Sequence, residues 1–502
     1  MLLVAFFAVT GAGTFAVMAS NSVHGSPEDT SARYFDAWRT SDVPGMAKLV
    51  YQAPDDFMER HLVLSKALRV DAIELSPGAV RRLTEDTAEV PFTGRRRLRG
   101  LGWWDFDGTL RLAVRDNQWD VLWGPETLHP LLKDGDLELT DARAPAVELV
   151  TADGTPFPEN HYAGSYLERL KASYPVETGT SLVATMADGS VKTLLSTVKE
   201  PKKERTTIVR QVQAAAARAL DGVADAAIVA LRSSTGEIVA VADRLGEGDN
   251  AFSAFFPPGS TFKTIVAAAL LQAGMTPADQ VPCPGSYTIP FHRSFKNAGD
   301  TDRGTLSLTD AFAHSCNTTF VEQATTKLTA QELTDVALAW GFTGAALPTG
   351  VGGHCGQIRV PEDLDWFGSA AIGQGSVVAT PLCMAMAAAA VESGTWRTPR
   401  IVGAKQAEAS DGQKGSSTQL DPGVADGLRE MMRAVVDHGT AAEAGLPEGV
   451  HGKTGTAEVE AGKDHAWFIG YRDDVAFCVF VRNGGSGRAT ALPIAARFLA
   501  GL

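Results

Sequence analysis

The sequence predicts a multidomain α+β protein, and three observations lead there. At 502 residues the chain is too long for one ordinary domain and suits two to four units. Its first part carries short runs of alternating apolar and polar residues bounded by turn residues, the pattern of half-buried strands. Its later part places strand-turn-strand units near both ends with alanine-rich helical sequence between them. That order fits a central antiparallel sheet built from both ends, with a helical lobe inserted. Hydrophobic residues at 44% and charged residues at 21% are those of a globular protein. The net charge of -14 speaks against nucleic acid as a partner, because phosphate binding needs a basic face.

Residues 1–22 read as a signal-anchor or signal peptide. From Leu2 to Ala19 there is no charged side chain, a length borderline for a membrane span and comfortable for a signal-peptide core. No Lys or Arg stands ahead of it, unusual for either, and a start codon placed too far downstream would explain that. Val17-Met18-Ala19 could serve as a cleavage site. A retained segment gives a single-pass protein of the cell membrane with an extracytoplasmic body; a cleaved one gives a secreted protein.

Residues 27–137 form a small α+β unit. Tyr34, Phe35 and Trp38 recur at helical spacing and predict one buried face. TAEVPFTG, GTLRLAVRD and QWDVLWGP follow as strands, with Trp103, Trp104, Trp119 and Trp123 read as packing of a curved sheet. The basic clusters Arg95-Arg96-Arg97 with Arg99, and Lys202-Lys203 with Arg205, read as a solvated turn and a solvated linker. Residues 138–205 read as a shortened connecting segment with a little sheet. Residues 206–502 open with the helix TIVRQVQAAAARALDGV and the strand pair AAIVALRSSTGEIVAVADR. They close with HAWFIGYRDDVAFCVFVRNG and the helix ALPIAARFLAGL.

Five cysteines lack metal-ligand spacing. Outside the cytoplasm one pair could oxidise, and Cys283 with Cys355, both in Gly/Pro-rich loop sequence, is the candidate. Cys383 and Cys478 lie in apolar stretches and read as packed thiols.

Three short motifs carry the chemistry: Ser260-Thr261-Phe262-Lys263, Ser315-Cys316-Asn317 and Lys453-Thr454-Gly455. Ser-x-x-Lys alone says little, since about one or two arise by composition in a chain this long. A second copy indeed stands at Ser196–Lys199, where it leads only into the charged run Glu200-Pro201-Lys202-Lys203. Ser260 instead follows Phe256-Pro257-Pro258-Gly259 and opens an apolar helix, whose N-terminus offers free N–H groups. Residues three apart share a helix face, so Lys263 is expected beside the Ser260 hydroxyl. A serine needs a base, and a desolvated lysine near another cation loses its proton readily enough to be one. The ten histidines include none in a competing motif. Ser315 could relay a proton to a leaving amine, and Asn317 could bond a substrate amide. Lys453, Thr454 and Thr456 could hold a carboxylate, Gly455 could let the strand approach the ligand, and the N–H groups of Ser260 and Thr456 could form an oxyanion hole.

In this order the trio is the signature of penicillin-interacting serine enzymes. Residues 206–502 resemble the transpeptidase domain of class B penicillin-binding proteins. Supporting runs are Ala371-Ile372-Gly373-Gln374-Gly375 with Thr380-Pro381-Leu382, His465 to Tyr471, and Ser294-Phe295-Lys296-Asn297. Residues 27–137 resemble the cone-shaped N-terminal domain of methicillin-resistance-type relatives, including Trp119 to Leu132. The resemblance implies a serine β-lactamase-like fold and a D,D-transpeptidase that crosslinks peptidoglycan stem peptides from lipid-linked precursors through an acyl-enzyme on Ser260. It implies acylation by β-lactams and no metal or organic cofactor. It also implies a glycan polymerase partner, although the pedestal that engages one is short here and its opening motif is reduced to Arg143-Ala144-Pro145. Two other readings use the same pocket: a D,D-carboxypeptidase or serine β-lactamase, in which water deacylates, and a non-catalytic β-lactam or muropeptide sensor.

Overall fold

A computed structural model describes residues 23–502. The leader expected over residues 1–22 lies outside the described residues. Among the described residues no helix is long and apolar enough to cross a membrane. The chain forms two compact units: one takes in the chain up to Ala146 with Val176–Glu200, the other Val147–Pro175 with Pro201–Leu502.

In the first unit Ser26 caps the helix Pro27–Arg39 by accepting the Asp29 N–H, with Pro27 at the first helical position. Tyr34, Phe35 and Trp38 form its buried face, and Phe35 and Trp38 meet Phe92 edge-to-face. Phe92 belongs to an antiparallel sheet in the order Val70–Pro77, Thr87–Leu98, Gly102–Arg115, Gln118–Leu122. The Arg95–Arg97 cluster is not a turn. It continues the strand Thr87–Leu98, on which Ala88, Val90, Phe92, Arg96 and Leu98 point inward with the period of two. Arg95 and Arg97 face outward and flank the Trp103 ring.

The interval 138–205 divides between the units. Gly135–Pro145 pairs with Val176–Met186, which pairs with Val191–Ser196, and this three-stranded sheet packs Leu137, Leu182 and Ala184 against Leu68, Leu98 and Trp104. Val147–Val150 and the helix Gly164–Ala172 belong to the second unit, where Val147–Val150 runs parallel to Lys202–Arg205. The charged run Lys202–Arg205 is therefore a strand; its side chains stay in solvent while its backbone is paired.

The second unit is built on a five-stranded antiparallel sheet in the order Glu237–Asp243, Ala226–Arg232, Val475–Val481, His465–Arg472, His451–Ala457. Strands from both ends of the segment thus meet, as their apolar runs predict. They are apolar on both faces because both faces are covered. Leu492–Ala500 packs on Arg210–Ala219, and Phe498 meets Phe477 of the sheet. The helix Pro381–Ser393 packs on Val475–Val481, and it is buried from Pro381 to Val391, as an all-round apolar helix must be. Lys263–Gln272 is buried alike from Lys263 to Leu270. His451–Ala457 is an edge strand, so one row of its backbone groups is left for a ligand.

The expected Cys283–Cys355 pair does not form. Cys283 bonds Cys316, Cys355 bonds Cys383, and Cys478 is the buried free thiol. Local pairing explains both bridges. Gly356–Ile358 runs antiparallel to Val377–Ala379, and the Thr380 N–H donates to the Cys355 carbonyl, which brings the start of the next helix and Cys383 to Cys355. Thr318 and Thr319 donate to the carbonyls of Pro284 and Pro282, fastening the helix Asn317–Lys327 and Cys316 to the Cys283 loop. Alkylation of the denatured, unreduced protein is expected to add one label, on Cys478, and full reduction to expose all five thiols. A proteolytic peptide joining Cys283 to Cys355 would contradict this arrangement.

Candidate active site

The turn before Ser260 is fixed by its contacts with neighbouring strands. Gly259 adopts φ +53°, and a Cβ there would lie 2.3 Å from the Thr456 carbonyl oxygen, so only glycine lets this turn sit against the strand His451–Ala457. Its N–H donates to the Gly373 carbonyl, and Trp467 Nε1 donates to the Pro257 carbonyl at 3.0 Å. Gly259–Phe262 is a 3₁₀ turn that runs into the helix Lys263–Gln272. In 3₁₀ geometry positions three apart eclipse, which sets Lys263 beneath Ser260. Ser260 is half-buried and lines the cleft, while Lys263 is fully buried.

The Lys263 ammonium does not reach for the Ser260 hydroxyl, contrary to the expectation from spacing. It donates to the Ser315 carbonyl and to Asn317 Oδ1, both at 2.7 Å, and to Ser315 Oγ at 3.4 Å. The Ser260 hydroxyl makes no hydrogen bond to any described residue and faces the cleft. Lys453, also fully buried, donates to Ser315 Oγ and to the Thr454 carbonyl, both at 2.9 Å. Two lysines therefore converge on one hydroxyl, and neither has a carboxylate partner among the described residues. Aromatic faces stand in for one: Nζ of Lys263 lies 5.5 Å from the Phe320 ring and Nζ of Lys453 5.5 Å from the Phe312 ring. Burial, and then the positive charge of Lys453, push the Lys263 ammonium well below the usual lysine range. Burial brings Lys453 down to about 7.

Ser315 is held in an uncommon backbone conformation. Its φ is +60°, in the left-handed region that costs a non-glycine residue about 1–2 kcal/mol. The Cys316 bridge holds the next residue, the Cys316 N–H donates to the Ala311 carbonyl, and Asn317 Nδ2 donates to the Lys296 carbonyl at 2.9 Å. Buried Asn297 completes the clamp by donating to the carbonyls of Pro284 and Thr301 and accepting the Thr318 N–H.

On the opposite wall Thr454 shares a hydrogen bond with Thr440, and Thr456 Oγ1 accepts the Gly487 N–H. Gly455 has a different task from the one its motif suggests. A Cβ there would lie 2.7 Å from Thr261 Cγ2, so the glycine seats the strand on the Ser260 turn and does not open it to a ligand. The cleft, about 660 Å³, is lined by Ser260, Ser315, Asn317, Thr454 and Thr456 among others. Thr440, Arg303, Asp464 and Arg488 also line it, and no motif points to them; Lys296 and Gln374 lay in runs the family resemblance quoted. Ser196 and Lys199 are exposed at the end of a strand of the other unit.

Residues 226–500 match the penicillin binding protein transpeptidase domain, and residues 26–136 match the NTF2-like N-terminal transpeptidase domain. The peptidoglycan D,D-transpeptidase PbpA of Mycobacterium tuberculosis is 33% identical over 353 residues, which span 58% of this chain and 70% of that one. The peptidoglycan D,D-transpeptidase MrdA of Acinetobacter baumannii is 28% identical over 283 residues, 48% of this chain and 42% of that one. Penicillin-binding protein A from M. tuberculosis, solved as an imipenem acyl-enzyme complex, superposes with a TM-score of 0.54 at 28% identity, over 60% of this chain and 80% of that one. The D,D-transpeptidase domain of a peptidoglycan glycosyltransferase from Eggerthella lenta shares the fold, with a TM-score of 0.55 at 22% identity over 72% and 98% of the two chains.

Gly455→Ala is expected to lower the stability of the second unit by about 1–3 kcal/mol through overpacking. Thr261→Ser removes the methyl group that the new Cβ meets, while keeping the hydroxyl that donates to the Pro258 carbonyl. The double variant should therefore recover part of the loss in a denaturant titration; no recovery would refute the contact.

Proposed function

The chain belongs to the penicillin-binding protein transpeptidase family, and we propose on that premise that it is a serine D,D-transpeptidase that crosslinks peptidoglycan stem peptides and is acylated by β-lactams. The observation that carries the reading is the pair of buried lysines meeting at Ser315 beneath a cleft-facing Ser260.

Ser260 Oγ attacks the carbonyl of the penultimate D-Ala while neutral Lys263 takes its proton, a service worth about 10²–10⁴-fold in rate. The oxyanion that forms is met by the N–H groups of Ser260 and Thr456, and loss of one such donor costs about 10²–10³-fold. Lys453, Thr454 and Thr456 hold the terminal carboxylate. Collapse breaks the peptide bond, and the departing D-Ala nitrogen takes a proton through Ser315, which Lys263 and Lys453 both supply with hydrogen bonds. Asn317 orients the donor amide. An amine on a neighbouring stem peptide then attacks the ester and restores Ser260. A β-lactam follows the first half only, because its leaving nitrogen stays tethered.

The uncharged run Leu2–Ala19 supports an extracytoplasmic body, membrane-anchored or secreted, within reach of lipid-linked precursors. Family likeness supports a glycan polymerase as the membrane partner.

Fluorescent penicillin should label the wild type covalently and leave Ser260→Ala unlabelled; equal labelling of both would overturn the assignment. Lys263→Arg keeps a charge that cannot be shed and should slow labelling by roughly 10²-fold or more. With a donor peptide ending in D-Ala-D-Ala and an amine acceptor, the aminolysis product should dominate. Hydrolysis alone would point to a carboxypeptidase, and rapid turnover of a chromogenic cephalosporin to a β-lactamase. The acylation rate should rise with pH as the lysine pair sheds its proton, with a midpoint below the ordinary lysine value of 10.5.

A further inference from the structure

Arg96 occupies a position that an apolar residue should fill. It lies on the inward face of the strand Thr87–Leu98, between Phe92 and Leu98, and is 3% exposed. An arginine so deeply buried normally faces a carboxylate, because an uncompensated charge in a core costs several kcal/mol. Arg96 has none among the described residues. Its Nη2 donates to the Leu128 carbonyl at 2.7 Å and its guanidinium rests on the Phe106 ring at 4.1 Å, but Nη1 is buried without a hydrogen-bond partner. His61, 6% exposed, is in the same condition, with Nε2 buried and unpartnered.

Both side chains line one cavity of about 180 Å³, with Trp38, Met46, Leu64 and Ile73 among its apolar lining. It is smaller than the roughly 300–1,000 Å³ of sites for drug-sized ligands, so its occupant is small. The nearest acid on the wall, Asp71, is committed to Arg99 at 2.9 Å. Burial and the Arg96 charge hold His61 at about 4 and His129, stacked on Trp104, also at about 4, so neutral imidazoles leave Arg96 as the single cation to be matched.

We propose that this cavity is a binding site for a short monocarboxylic acid, its carboxylate on the Arg96 guanidinium and His61 Nε2–H, its apolar tail against Trp38, Met46, Leu64 and Ile73. One negative charge matches one guanidinium, whose planar fork suits a carboxylate. The apolar lining favours a hydrocarbon tail over a hydrated inorganic anion. The site belongs to the N-terminal unit and does not depend on the reaction proposed for Ser260.

Calorimetric titration of the purified full chain with hexanoate tests it, with hexanol and inorganic phosphate as parallel arms. Hexanoate should bind saturably at one site per chain and raise the melting temperature. Hexanol and phosphate should bind at least about tenfold more weakly. Arg96→Met should abolish hexanoate binding, and Ile73→Trp should do so by filling the cavity, a second route should the first variant misfold. Both should keep wild-type penicillin labelling of Ser260. No saturable hexanoate binding, or binding that survives Arg96→Met, overturns the proposal. So does phosphate binding as tight as hexanoate, which would make the site an inorganic-anion cradle, or hexanol binding as tight, which would make it an apolar void.

Discussion

Two ammonium groups compete for the hydroxyl of Ser315 in a region closed to water, and no carboxylate is present to settle them. Lys263 approaches Ser315 Oγ at 3.4 Å and Lys453 at 2.9 Å, both from fully buried positions. Holding two protons there is unfavourable on two counts, since burial penalises each charge and each charge penalises the other. One lysine is thereby driven toward its neutral form, which is what a serine without histidine help requires. The aromatic faces of Phe320 and Phe312 moderate the penalty without neutralising it as a carboxylate would.

Much of the surrounding structure serves to keep those groups in place. Ser315 must adopt φ +60° to offer both its carbonyl and its hydroxyl to the lysines, and a left-handed serine persists only where its neighbours over-determine it. The Cys283–Cys316 bridge, Asn297 and the Asn317–Lys296 hydrogen bond supply that restraint. On the opposite side, the glycine at 259 presses the Ser260 turn onto Thr456, which keeps the two prospective oxyanion donors in register. The catalytic apparatus is thus assembled from a turn, a loop between helices and an edge strand, each fixed by backbone contacts.

The sequence made the frame of this site legible because its frame is local. A Pro-Pro-Gly turn ahead of an apolar helix distinguishes Ser260 from Ser196, and continuous apolar strands at both ends announce a covered sheet. What stayed hidden depends on contacts distant in the chain. Motif spacing predicts that Lys263 lies under Ser260, yet whether its ammonium turns to Ser260 or Asn317 depends on a loop more than fifty residues away. The cysteine pairing failed for the same reason: loop composition marks where a bridge is allowed, whereas the short strand pair at Gly356–Ile358 and Val377–Ala379 decides the partner. Arg96 was hidden differently. Three consecutive arginines read as solvated, and only strand alternation turns the middle one inward.

Both units thus bury positive charge without a carboxylate, and in the second unit that burial is the source of reactivity. The most direct test follows the Lys263 side chain itself through a pH titration by NMR, using selective isotope labelling and assignment by Lys263→Arg. Lys263 is expected to lose its proton well below the ordinary lysine value of 10.5, and its midpoint should move upward in Lys453→Met, where the neighbouring charge is gone. An ordinary lysine titration in the folded wild type, or a midpoint indifferent to Lys453→Met, would contradict the account.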